Sequence, residues 1–130
     1  MADDRISVAA LDTWCLAQPE TALDYPFGDG VRVYKVAGKM FALVPEDDDP
    51  PTISLKCDPL DAEVLRQKYT AVTGGYHLNK KHWNTIIMDG EVPHAELRTW
   101  IEDSFDLVVD GLPKAKRLTI QGQVRAITDE

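Results

Sequence analysis

The clearest hydrophobic rhythm in the chain lies between residues 31 and 44. Val31, Val33, Tyr34 and Val36 lead into Ala37-Gly38-Lys39, and Met40, Phe41, Leu43 and Val44 follow. Two apolar runs around a glycine-centred turn predict an antiparallel hairpin. A third strand is expected over 52–57, where Ile53, Leu55 and Cys57 alternate to one face. A further β segment is expected over 85–88, stopped by Asp89-Gly90. Helical spacing frames these strands. Val8, Leu11, Trp14 and Cys15 form one stripe of a helix expected over 3–18, with Asp3 and Asp4 suited to its start and Pro19 to its end. Asp58 caps a second helix, with Pro59 at its first position and Asp61 and Glu63 in its first turn. Leu97, Trp100, Ile101, Ser104, Phe105 and Val108 mark a long helix that starts at Glu91-Val92-Pro93 and stops at Gly111 and Pro113. Segments 21–30 and 70–75 read as loops, with Tyr25 and Phe27 pinning the first to the core. The run 118–127, interrupted by Gly122, reads either as an extra strand or as a mobile extension. The sum is an α+β sandwich in which helices cover one face of an antiparallel sheet. Residues 1–117 form one domain and 118–130 a C-terminal extension.

Composition narrows the class. A chain of 130 residues that is 44% hydrophobic and 28% charged is an ordinary single globular domain, long enough for a real core. Cys15 and Cys57 make no disulfide framework and read as small buried side chains in a reducing compartment. The acidic start lacks the basic, apolar pattern of a signal peptide, and no apolar run is long enough to span a membrane. The expectation is a cytoplasmic monomer without membrane contact.

Charge changes the picture more. The net charge of −8 argues against whole-molecule attraction to nucleic acid. Yet the acids are segregated. Between Val64 and Met88 stand Arg66, Lys68, Lys80 and Lys81 and no carboxylate; between Gly111 and Thr128 stand Lys114, Lys116, Arg117 and Arg125, again with none. Such a split predicts a surface that meets an anion. Its centre is Tyr76-His77-Leu78-Asn79-Lys80-Lys81-His82-Trp83-Asn84-Thr85. Lysine supplies a compact charge for phosphate oxygens, Asn79 and Asn84 suit phosphates or base edges, and Trp83 suits stacking. The alternatives are that Trp83 packs inward, the lysines solvate the loop and the asparagines hold turns.

Other chemistry is thinly supported. Ser54 and Ser104 lack a nucleophile setting, and Cys15 lies on a buried helix face. His77, His82 and His94 are irregularly spaced for a metal. The acidic stretch Glu46-Asp47-Asp48-Asp49 lacks the alternation and central glycine of a calcium loop and reads as a solvated loop.

Four stretches, in order, carry a family resemblance. They are Tyr25-Pro26-Phe27-Gly28, the run from Val33 to Phe41, the Tyr76–Gly90 stretch, and Leu107-Val108-Val109-Asp110-Gly111-Leu112-Pro113-Lys114. The chain resembles the MmcQ/YjbR family of small bacterial proteins. The resemblance implies a CyaY-like two-layer sandwich and a double-wing arrangement associated with DNA binding; from the residues themselves, neither enzymatic activity nor a cofactor is expected. Carried over by position, the candidate contacts are Lys39 at the hairpin tip and Lys80, Lys81, His82 and Trp83. An acidic protein partner for the same loop and a frataxin-like iron site along the first helix are the competing expectations. The second has only Asp3, Asp4 and Asp12 to draw on.

Overall fold

The computed structural model describes residues 5–128, with side chains through residue 122. Four helices and six strands follow in the order α1 (Val8–Leu16), β1 (Thr21–Asp24), β2 (Val31–Val36), β3 (Lys39–Pro45), β4 (Thr52–Lys56), α2 (Pro59–Lys68), β5 (Val72–Gly74), β6 (Trp83–Ile87), α3 (His94–Asp110) and α4 (Lys114–Thr128). The strands form one sheet in the order β1-β2-β3-β4-β6-β5, and every neighbouring pair is antiparallel. The architecture is α+β, as the pattern predicts.

The hairpin forms where the rhythm places it. Val36 pairs with Lys39 across a two-residue turn, and Ala37 and Gly38 have φ of 50° and 77°. Positive φ at both positions gives the turn a twist that matches the strands it joins. The third strand and the second helix also match. The Asp58 carboxylate accepts from the Leu60 amide at 3.0 Å, with Pro59 opening the helix.

Period-two alternation sorts side chains to the two faces of the sheet. Tyr34, Val36, Phe41, Val44, Ile53, Leu55 and Ile86 join Leu11 and Cys15 of α1 and Leu97, Ile101, Phe105 and Val108 of α3 in the main core. Phe41 and Phe105 meet edge to face at 5.5 Å. A second, smaller group of Val33, Leu43 and Trp83 gathers Val31, Met40 and Leu78 around itself. By the strand registers it lies on the opposite face from α1 and α3.

Several expectations need correction. The first helix begins at Val8 and not at Asp3; Ser7 caps it by accepting from the Ala10 amide at 3.1 Å, and Asp3 and Asp4 lie outside the described residues. Segment 21–30 contains β1, a four-residue edge strand too short and too weakly apolar to register as a pattern. Segment 70–75 contains the three-residue β5 for the same reason. Tyr25 and Phe27 do not pin their loop to the core: they are 38% and 62% exposed, and the Tyr25 hydroxyl instead donates to Glu46 at 3.1 Å. Residues 118–127 are neither a strand nor an appendage; they continue α4. The Leu118 and Ile120 alternation mimics a strand, but Ile120 is fully buried in the main core while Leu118 faces solvent.

Candidate nucleic-acid interface

The strand registers bring the basic positions to one end of the sheet. Lys39 opens β3, Lys56 closes β4, and Lys56 stands opposite Trp83 at the start of β6. The loop preceding Trp83 therefore emerges beside the β2–β3 turn, two strand spacings away, or roughly 10 Å. Side chains of the two segments share one apolar group. Met40, next to Lys39, and Leu78, within the loop, both pack on the Trp83 group. The long helix α3 reaches the same end. Its Ser104 bonds to the Phe41 carbonyl and the Lys56 amide, and its last turn lines one cleft together with Cys57 and Asp58. The basic first turn of α4, with Lys114, Lys116 and Arg117, follows directly from there.

The loop 75–82 is built from backbone bonds and one arginine. Gly75 donates to the Trp83 carbonyl at 2.8 Å, and a Cβ at Gly75 would sit 2.7 Å from the Trp83 Cβ, so no larger residue fits. Tyr76 donates its amide to the Thr85 hydroxyl at 3.0 Å. The Asn79 carbonyl accepts from Trp83 at 2.9 Å, and its side chain accepts from the Lys81 amide at 2.9 Å. Arg66 of α2 reaches over this turn. Its Nε donates to Asn84 Oδ1 at 2.7 Å and its Nη2 to the carbonyls of Trp83, at 3.3 Å, and Lys80. Asn84 is buried and also donates to the Ala62 carbonyl at 3.3 Å. Asn84 is thus committed to structure, and Asn79 holds the turn through its side-chain oxygen while remaining exposed.

The candidate residues divide accordingly. Lys39 and Lys81 are exposed, and neither has an ion-pair partner among the described residues. Lys80 is exposed too, but its stem lies across Gly74 and its Nζ donates to the Gly75 carbonyl at 3.2 Å. His82 is half-buried and its carbonyl accepts from the Cys57 amide at 2.8 Å. Trp83 is 8% exposed and packs in the Val33–Leu43 group, against which Leu78 of the loop also packs. The three histidines stand in separate settings: His77 against Tyr76 at 4.0 Å, His82 at Cys57, and His94 against Trp14 at 5.9 Å. Among the described residues no three His, Cys, Asp or Glu side chains come together as a metal site. Asp12 is engaged by Arg32 at 2.9 Å and by the Tyr34 hydroxyl at 2.7 Å.

Sequence reasoning missed two features. Arg66 is the first: nothing in its helical context marks it as the clamp on a loop 14 residues away. The second is a cleft of about 470 Å³ between α2 and α3, floored by Leu55, Ile86 and Asn84. Five aspartates line it, Asp58, Asp61, Asp103, Asp106 and Asp110, against the single base Lys56. Asp103 and Asp106 are held above the usual carboxylate range, first by burial and then by neighbouring acids. The Cys57 thiol is pushed up to about 11 by burial, reinforced by Asp61 and Asp58. The spacing of 103, 106 and 110 was legible as one helix face, but the opposing wall was not.

The geometry defines a class: a small α+β domain whose antiparallel sheet carries helices on one face and a structured basic loop at one end. Comparison with known proteins agrees. The YjbR family model matches residues 16–107, and the chain belongs to that family. It is 43% identical over 99 residues to YbdF of Escherichia coli O157:H7, covering 76% of this chain and 81% of that one. It is 33% identical over 112 residues to YjbR of Escherichia coli K12, covering 86% and 95%. Among solved structures, Deinococcus radiodurans protein DR2400, of domain family DUF419, superposes with a TM-score of 0.84 at 37% identity, covering 93% of this chain and 92% of that one. A Pseudomonas syringae protein gives 0.69 at 26% identity, covering 78% and 98%. No helix among the described residues is long and apolar enough to cross a membrane.

Proposed function

We propose that this chain is a non-enzymatic DNA-binding module of the cytoplasm, acting as a monomer. Lys39, Lys80 and Lys81 meet phosphates, His82 flanks them and Trp83 braces the surface from beneath. The observation that carries this reading is the meeting of the β2–β3 turn and the 75–82 loop at one end of the sheet, with Lys39 and Lys81 free of described carboxylate partners. The acidic cleft opens between the helices but borders the same end of the sheet through Cys57, Asp58 and Asn84, so the phosphate contacts act at the edge of a negative region. The non-enzymatic reading is supported by the settings of the potential nucleophiles. Ser104 and Ser54 are buried and hydrogen-bonded, and burial pushes the Cys15 thiol up to about 12. The two free cysteines suit a reducing compartment.

The test is a titration of short duplex DNA at several salt concentrations. Three phosphate contacts give a log–log slope of about −2.7, or roughly 40-fold weaker binding between 50 and 200 mM salt. Lys80→Glu/Lys81→Glu should flatten that slope to about −0.9 and weaken binding at every salt concentration. No detectable affinity at 50 mM salt, or equal binding by the double variant, removes the proposal. Recovery of a stoichiometric acidic protein on the same lysines, without nucleic acid, would favour a protein partner instead.

A further inference from the structure

We infer that the α2–α3 cleft is a docking groove for a basic amphipathic helix of a partner protein. The groove combines an apolar floor and flanks with acidic rims. On α2, Leu60 and Val64 stand one turn apart and are 75% and 58% exposed, far from what their side chains favour. Val64 continues into the groove, where Trp100 and Leu107 of α3 face it over the floor of Leu55 and Ile86. The α3 wall runs from Trp100 to Asp110, about 15 Å or three helical turns, which suits an extended segment better than a compact small molecule.

Secondary structure of the occupant follows from hydrogen bonding. The floor strands β4 and β6 are each paired on both sides, so the groove offers no free strand edge. An incoming chain finds no ladder to join and must satisfy its own backbone, which a helix does. Charge sets its composition. Asp61 on one wall and Asp103 and Asp106 on the other make no ion pair among the described residues, and partial desolvation together with neighbouring acids already disfavours the charged forms of Asp103 and Asp106. Lysine or arginine flanking an apolar stripe relieves both the exposed apolar surface and the uncompensated charge. The chain's own basic helix α4 is not the occupant in cis, because it packs through Ile120 into the core on the other flank of α3, beside Phe105 and Val109.

The test uses the full chain and two 14-residue synthetic helices with the same leucine stripe, one carrying lysines and the other glutamates on the polar face. The lysine peptide should bind saturably and shift backbone amides along α2 and α3, while the glutamate peptide should not bind. Asp103→Asn/Asp106→Asn and, separately, Val64→Glu should each weaken the lysine peptide by about tenfold or more; these are exposed positions, so the core stays intact. Asp47→Asn/Asp48→Asn, in the exposed 46–51 loop, should change affinity by less than about twofold. Equal binding of both peptides, indifference to the groove variants, or no saturable binding overturns the proposal. So does saturation of the same amides by phenethylamine alone, which would make the occupant a small cation, or self-association of the chain that the groove variants abolish, which would make it a second copy. Unchanged DNA affinity in the groove variants keeps this outcome separate from that of the basic loop.

Discussion

Removing one hydroxyl, in Ser104→Ala, should cost this domain about 3 kcal/mol. The β2–β3 ladder slips at Tyr34/Lys35: Tyr34 pairs with Ala42 and Lys35 with Met40, which leaves Phe41 outside the register. The Phe41 carbonyl is then bonded from above. Ser104 donates to it at 2.6 Å and accepts from the Lys56 amide at 2.9 Å, so one fully buried side chain stitches α3 to both β3 and β4. Alanine fills nearly the same space but strands an acceptor and a donor. Each unsatisfied buried group costs about 1–3 kcal/mol. The Lys56 amide borders the cleft, where water recovers part of its bond, which sets the total near 3 and not near 6. With an m-value of about 1.5 kcal/mol/M, the urea midpoint should fall by about 2 M. Thr99→Ala is the control: its hydroxyl bonds back to Ala95 on the exposed side of the same helix, and its effect should stay within about 0.5 kcal/mol. A loss for Ser104→Ala below about 1 kcal/mol, or equal to that of Thr99→Ala, would refute the bridge as a structural device. Because the bridge sets how the hairpin sits on α3, the Lys39 amide should also show increased hydrogen exchange in the variant.

Three further outcomes follow from single positions. Gly75→Ala forces a methyl to 2.7 Å from the Trp83 Cβ, so calorimetry should show about 2 kcal/mol of destabilisation and the same variant should lose DNA affinity. Gly122→Ala meets nothing within 4 Å inside α4 and should stabilise by about 1 kcal/mol, read as a melting temperature a few degrees higher. Cys57, with its thiol near 11, should react with a disulfide reagent at a rate that climbs about tenfold per pH unit from 7 to 10; a plateau near pH 9 would mean an unperturbed thiol. Burial first, and then Asp61 and Asp58, disfavour the thiolate, so Asp61→Asn should shift the profile modestly to lower pH.

Much of this molecule was determined by local pattern. The hairpin around Gly38, the Asp58–Pro59 helix start and the Leu97–Val108 stripe each depend on neighbours within a few residues, where turn chemistry and periodicity act. The inward packing of Trp83 and the turn-holding asparagines were readable as one of two alternatives; burial decided for Trp83 and Asn84, and the hydrogen bond to the Lys81 amide showed the turn role of Asn79. What tertiary structure alone decided are contacts between residues far apart in the chain. Arg66 clamps Lys80 and Trp83, and Ser104 joins Phe41 and Lys56, 63 and 48 positions away. The short strands β1 and β5 exist only because β2 and β6 offer them a free edge. The acidic groove likewise exists only once α2 and α3 lie side by side over β4 and β6. Spacing along a chain encodes which face a residue takes, but not which distant face it meets, because that is settled by the packing of whole elements.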